Sequence, residues 1–314
     1  MTKKIISVIG ATGTQGGSVV DALLHDDNNY AIRAITRNPK SAAAQKLQAK
    51  GVEVVQADAG DVTSLIHAFE GSSAIFAVSD FIEPFATGGP EHAIEVESRH
   101  GINFAKAAST TKTLEHYIWS TLPNSKVISG GQIIVPHFES KNRVDDFIRL
   151  DAALLAKTTF FLPGFFTENY KFPLMDPINV PGTEQYLQIH CTSPDDAFVS
   201  VGHARTNIGL FVRAILAQPE KTLPAKRVAA YTEVTSLGKM LDIWSKVKGK
   251  KGHYVRVEKE MYDQLSPMWG EEMSLMMGYF ALMGDKAWDG DEKTLTKEDL
   301  ALTGLVDIAA AFRL

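Results

Sequence analysis

Up to Pro163, short runs of aliphatic and β-branched residues alternate with longer stretches of helical periodicity. The runs Ile5–Ile9, Ala31–Thr36, Glu53–Gln56, Ala74–Val78, Tyr117–Ser120 and Thr158–Leu162 are short, apolar and closed by a turn or polar break. Parallel strands buried on both faces read this way. Between them, Gln15–Leu24 places Val19, Val20, Leu23 and Leu24 along one stripe, and Ser41–Lys50 is rich in Ala and Lys. Val62–Phe69 follows an N-cap at Asp61, Ala93–Ser109 carries small residues on one face, and His137–Leu150 repeats Val144, Phe147 and Ile148 at helical spacing. Strand–helix–strand repetition implies right-handed crossovers, so the pattern predicts an α/β fold with a doubly wound parallel sheet.

Beyond Pro163 the alternation stops. Pro173, Pro177, Pro181 and Pro194 mark loops around a small strand near Tyr186–Ile189. A helix over Asp195–Ala217, a strand at Arg227–Tyr231 and a helix at Ser236–Val247 are predicted next. Helical segments follow over much of Lys259–Met283 and at the C-terminus. The expected organisation is a doubly wound α/β domain over 1–162 and a smaller mixed α/β subdomain over 163–314, interleaved with it at the carboxyl edge of the sheet.

Composition narrows the function classes. The 314 residues are 45% hydrophobic and 22% charged, ordinary for a globular protein, with 32 basic against 37 acidic residues and a formal charge of −5. Direct nucleic-acid binding needs clustered positive charge and is not expected. A signal segment and an apolar run long enough to span a bilayer are both missing, so a cytoplasmic protein is expected, with nuclear entry open and no membrane contact. Cys191 is the single cysteine, and the nine histidines show no metal-ligand spacing, so no disulfide and no metal site is expected.

Chemistry enters directly after the first strand, at Gly10-Ala11-Thr12-Gly13-Thr14-Gln15-Gly16. Gly10 permits a tight turn, Gly13 lets backbone approach a pyrophosphate, and Gly16 lets the helix pack closely on the strand. The helix N-terminus adds free N–H groups and partial positive charge. A site for NAD would carry an acidic residue at the end of the second strand. Here Thr36-Arg37-Asn38-Pro39-Lys40-Ser41 stands in that place, and a guanidinium at Arg37 suits a 2′-phosphate, so NADP is the expected cofactor. Asp58 is placed to meet the adenine edge, or to cap the turn at Ala59-Gly60. Ser79, Asp80 and Phe81 end the fourth strand, where the backbone runs beside the adenosine ribose.

Gly10–Val19, Thr36-Arg37-Asn38-Pro39, Gly51–Asp58 and Pro136-His137-Phe138-Glu139-Ser140-Lys141 together resemble the NmrA-like family, an atypical branch of the short-chain dehydrogenases/reductases. The resemblance is good over 1–170 and fainter beyond. It implies an NADP-binding Rossmann fold in a family of transcriptional regulators, NADPH sensors and oxidoreductases. By that resemblance Arg99 falls where sensor members carry a basic residue near the cofactor. Pro163, Gly164, Phe165, Phe166 and Asn169 fall in the loop that closes over the nicotinamide.

Reductases of the superfamily use a Tyr four residues before a Lys, with a Ser at the end of the fifth strand. The corresponding positions are His137, Lys141 and Ser120. The i, i+4 spacing keeps His137 and Lys141 on one helical face. The tyrosine is replaced, and Tyr117 lies on a strand and cannot take its role. The helix dipole and a cationic neighbour both disfavour an imidazolium at His137, which weakens it as a proton donor. Lys141 is expected to hold the nicotinamide ribose. The reading this favours is an NADP(H)-responsive regulator with a protein partner. The alternative is an NADPH-dependent reductase of a small apolar carbonyl or quinone, and either would be a monomer or homodimer. Met268, Met273, Met276, Met277 and Met283 crowd one stretch with Trp269, Tyr279 and Phe280, expected mainly as core, with a substrate or partner surface as the alternative.

Overall fold

The apolar runs become parallel strands because each is flanked by helices that cover both faces. In a computed structural model, which describes residues 3–25, 30–288, 290 and 293–314, these strands are β1 (Lys4–Ile9), β2 (Tyr30–Thr36), β3 (Glu53–Gln56), β4 (Ser72–Ala77), β5 (His116–Ser120) and β6 (Thr158–Pro163). The intervening helices are α1 (Thr14–Leu24), α2 (Ala42–Ala49), α3 (Val62–Phe69), α4 (Ile82–Thr110), α5 (Ser125–Ile128), α6 (Pro136–Leu150) and α7 (Ala152–Leu155). The second half adds β7 (Phe165–Phe166), β8 (Ile178–Asn179), β9 (Gln185–His190), β10 (Ala197–Gly202), β11 (Lys226–Ala230), β12 (Glu233–Ser236), β13 (Lys251–Arg256) and β14 (Thr294–Leu295). Its helices are α8 (Ala204–Ala217), α9 (Pro219–Thr222), α10 (Leu237–Lys248), α11 (Lys259–Leu265), α12 (Trp269–Met283) and α13 (Ile308–Ala311).

The main sheet runs β14-β11-β6-β5-β4-β1-β2-β3, with all its pairings parallel. Chain order reverses between β1 and β4, and the crevice beyond the carboxyl ends of those two strands is where a doubly wound sheet takes a ligand. Alternate residues feed the two faces. Ile6, Val8 and Phe161 pack with Val19 and Val20 of α1 and Ile208, Phe211 and Val212 of α8. Ile9, Ile75 and Phe160 pack with Phe104 of α4 and Val144 and Ile148 of α6 on the other face. The second half therefore completes the first layer: β11 and β14 extend its sheet, and α8 lies against α1. A Cβ on Gly209 would stand 2.1 Å from the Ser18 carbonyl oxygen, and the Gly209 N–H donates to Ser18 Oγ at 2.8 Å. Two small sheets, β12-β10-β7 and β13-β9-β8, make up the remainder with α10 to α13.

Four expectations are corrected. Asp195–Ala217 is not one helix: Ala197–Gly202 is strand β10, paired with β7 and β12, and Gly202 at φ +67° separates it from α8. Its β-branched Val199 and Val201 fill an extended backbone better than a helix, and Asp196 accepts the Ser193 N–H across a turn and does not open a helix. Three strands with few apolar residues, β12, β13 and β14, were not visible in the pattern. The helix expected over Ala93–Ser109 begins earlier, at Ile82, and is interrupted at Gly89 (φ +77°) before Pro90. The C-terminus holds only the single turn α13, capped by Asp307. As expected, Met276 and Met277 are core residues, packed with Tyr279 and Phe280. Among the described residues no helix is long and apolar enough to cross a membrane, and no cluster of His, Cys, Asp or Glu has metal-binding geometry.

Candidate functional site

The glycine run after β1 forms a cradle of exposed backbone. Gly10 sits at φ +68°, and the Gly13 N–H donates to its carbonyl at 2.9 Å. A Cβ on Gly16 would lie 2.3 Å from the Gly10 oxygen, so α1 rests on the turn only because that residue has no side chain. Gly13 is different. Within 4 Å a Cβ there would meet only the Gly10 oxygen, at 3.4 Å. Packing leaves the space beside Gly13 open. It is also the N-cap of α1 and supplies no side chain to the first-turn amides, while Thr12, Gly13 and Thr14 are exposed. Bare N–H groups at a helix N-terminus beside a glycine fit a pyrophosphate.

One residue that sequence reasoning missed holds this cradle from behind. Arg205, at the start of α8, donates to the Gly13 carbonyl at 2.8 Å and pairs with Asp21 at 2.7 Å. Its guanidinium crosses directly over Gly17, where a Cβ would stand 1.5 Å from Nη1. The α8 N-terminus that presents Arg205 is itself capped by Glu168, whose carboxylate accepts from the Ala204 and Arg205 amides, each at 3.1 Å.

At the end of β2, Arg37, Asn38 and Lys40 are exposed around an Asx turn in which Asn38 Oδ1 accepts the Lys40 N–H. Arg37 is not idle in the turn: its Nη2 lies 2.9 Å from Glu83 Oε2 of α4, which raises its pKa further. Asp58 accepts the Gly60 N–H at 2.7 Å and so caps the turn, the second of its two expected roles. The Ala59 carbonyl is taken by Asn103, and Asp80 caps the first turn of α4 through the Ile82 N–H. Arg99 is exposed on α4, two residues and therefore about 200° around the helix from Glu97.

Past the ends of β4 and β5, α6 carries two of the three residues expected to be catalytic, His137 and Lys141. Lys141, 9% exposed at its side chain, lies 3.0 Å from Glu97 Oε1 and donates to Ser79 Oγ at 3.0 Å. Ser79 donates to Glu97 at 2.8 Å, and Ser140 donates to the other Glu97 oxygen. A lysine ammonium has three N–H donors, so this network leaves one. Ser120 donates to Gln15 at 2.8 Å, which ties the end of β5 to the cradle. His137, one turn before Lys141, bonds through Nδ1 and its backbone N–H to Glu272 of α12, a carboxylate only 2% exposed. The Phe81 ring lies 5.7 Å from His137, and Phe85 and Trp269 continue that apolar wall.

The loop expected over the nicotinamide is largely built into the fold. Gly164 is required by backbone contact, since a Cβ would stand 2.9 Å from the Val199 oxygen. Pro163 ends β6, Phe165 is buried against Phe198, Phe166 pairs with β10, and Asn169 is half-buried in a 3₁₀ turn. Glu97, Glu272 and Glu83 were all missed. Glu97 had a signal, as the one charge in the buried α4 stripe Ala93-Glu97-Gly101-Ala105. Glu272 likewise heads the buried stripe Glu272-Met276-Tyr279-Phe280.

A glycine cradle at the switch point of a doubly wound parallel sheet defines a Rossmann-type protein. The chain belongs to the NmrA-like family, whose model matches residues 2–305. It is 29% identical over 290 residues to an NmrA-like family domain-containing oxidoreductase of Penicillium ochrochloron, covering 88% of this chain and 84% of that protein. The fold is also that of NmrA, a negative transcriptional regulator solved in complex with NADP (TM-score 0.76, 21% identity, 100% of this chain and 95% of that one). An NADPH-dependent quinone oxidoreductase of Escherichia coli, solved with NADPH, shares the fold at TM-score 0.72 and 16% identity, covering 98% of each chain.

Proposed function

We propose that this protein is an NADP(H)-dependent oxidoreductase that reduces a small apolar carbonyl or quinone. The observation that carries the reading is that His137 and Lys141, on one face of α6, are each held by a buried carboxylate from a different helix. Stability alone does not require such pairs, because replacing a buried ion pair by well-packed apolar side chains is often neutral or stabilising, so a site without function is free to lose them. The residues suit the cofactor: the amides of Thr12 to Gln15 for the pyrophosphate, Arg37 for the 2′-phosphate and Lys141 for the nicotinamide ribose. The chemistry such a cofactor supplies is a hydride to a carbonyl carbon. His137 is the proton source for the oxygen, and Phe81, Phe85 and Trp269 exclude water on one side. The names of its relatives, oxidoreductases matched over most of their length, support the same reading. The test is an NADPH-oxidation screen over carbonyls and quinones. Turnover that falls at least about tenfold in both His137→Ala and Lys141→Ala is expected, and turnover unchanged in both variants contradicts the assignment.

A second reading, an NADP(H)-responsive regulator, draws on His137 standing where reductases of the superfamily carry a tyrosine. It predicts nucleotide binding without turnover, and binding of a protein partner that changes with cofactor state.

A further inference from the structure

Glu272 lies 135 positions from His137 in the chain, yet its carboxylate takes two hydrogen bonds from that residue, from the ring Nδ1 and from the backbone N–H at 3.3 Å. Among the described residues no lysine or arginine pairs with it, and the ammonium of Lys141, one turn further along α6, is committed to Glu97. A carboxylate withdrawn from water without a cation persists only where donors and dipoles replace its hydration. Here the replacements are an imidazole N–H and a first-turn amide of α6, at the positive end of that helix. The anion also meets the helix dipole that, on sequence alone, weighed against a charged His137.

We infer that Glu272 is the positioning residue for proton transfer by His137, an inference that rests on the reductase reading above. Its carboxylate accepts the Nδ1 proton in both states of the ring, so the proton that comes and goes is the one on Nε2. No described residue hydrogen-bonds Nε2. As hydride, with its two electrons, adds to the carbonyl carbon, the C=O π pair moves onto oxygen, and that oxygen takes the proton from Nε2. His137 is left neutral, with its Nδ1–H still on the ring and hydrogen-bonded to Glu272. Water then restores the Nε2 proton, reaching a side chain that is 18% exposed. The groups that meet the ring are Glu272 from α12, Phe81 from the β4–α4 connection, and Phe138 from its own helix. Nucleophilic triads use a buried carboxylate on Nδ1 in the same way, to fix the tautomer of a working histidine.

The test has two arms. Histidine-labelled wild-type protein, observed by long-range proton–nitrogen correlation above neutral pH, reports the tautomer of His137 without any turnover. The Nδ1–H form is expected, and the Nε2–H form overturns the inference. In the kinetic arm, Glu272→Met lowers kcat about a hundredfold with KM within about threefold, within the range for loss of a general acid. On a His137→Ala background the same substitution has no further effect. Multiplying effects overturn the inference, since they mean that Glu272 acts on something besides His137. Circular dichroism of Glu272→Met confirms that the fold is retained, and the wild-type tautomer needs no variant. Absence of all wild-type turnover overturns the proton-transfer role together with the reductase reading. The tautomer then separates them: Nδ1–H keeps Glu272 as the group that orients the ring, and Nε2–H removes it.

Discussion

Arg37, just past the end of β2, and Glu83, in the first turn of α4, pair with Nη2 to Oε2 at 2.9 Å and the second fork nitrogen 3.5 Å from the other carboxylate oxygen. A 2′-phosphate that uses Arg37 must displace Glu83. Both side chains are more than half exposed, so the pair itself is worth only about 0.2–1 kcal/mol. Glu83→Gln is therefore expected to tighten NADP binding about two- to fivefold by calorimetry, with NAD little changed. Arg37→Ala should cost NADP about 1.5 kcal/mol, the low end for a charge-assisted contact, and leave NAD nearly untouched. Equal losses for the two nucleotides would refute the phosphate role.

The buried Lys141–Glu97 pair predicts non-additive stability. Lys141→Met leaves Glu97 fully buried without its cation and should cost about 3–5 kcal/mol in urea unfolding. Adding Glu97→Gln should recover a large part of that loss. If the double variant is as unstable as the sum of the singles, the pair is not coupled.

Two adjacent glycines should respond differently. Gly16→Ala drives a methyl group into the Gly10 backbone and should destabilise the fold by about 1–3 kcal/mol. For Gly17→Ala the three nearest atoms all belong to the end of the Arg205 side chain, which can swing away. Its melting temperature should stay within a few degrees of wild type, while loss of the Arg205 bond to the Gly13 carbonyl, which keeps only the Gly17 N–H, weakens nucleotide binding severalfold. Melting curves and calorimetry separate the two effects.

Asp145 of α6 supplies a pH signature. It accepts hydrogen bonds from Trp119 Nε1 and Thr121 Oγ1, yet burial pushes its carboxyl up to about 7. With the folded pKa above the unfolded one, the folded state holds the proton more tightly, so this group removes stability as pH rises from about 4 to about 7. Buried His116, pushed down to about 4, acts with the opposite sign over much of that window, so the difference between variants is the quantity to read. Relative to wild type, Asp145→Asn should gain on the order of 2 kcal/mol between pH 4 and pH 7.5. A constant offset across that range would contradict the assignment.

The strands that frame the crevice were legible because burial on both faces leaves a continuous apolar run, as in Ile5–Ile9 and Thr158–Leu162. The edge strands were not, since β13 and β14 carry too few apolar side chains to stand out from loop. The glycine cradle could be read for the same local reason: strand, turn and helix are consecutive in the chain. Glu97, Glu272, Glu83 and Arg205 could not be placed that way. Their partners lie 44, 135, 46 and 192 residues distant, and only tertiary packing joins them. A carboxylate inside an apolar helical stripe was the trace that Glu97 and Glu272 left in the sequence.

Calorimetric titration of the wild-type protein with NADPH and, separately, NADH tests the account most directly. NADPH should bind about tenfold tighter or better, through the α1 amides and Arg37. Equal affinity for the two, or no heat from either at millimolar concentration, would contradict it.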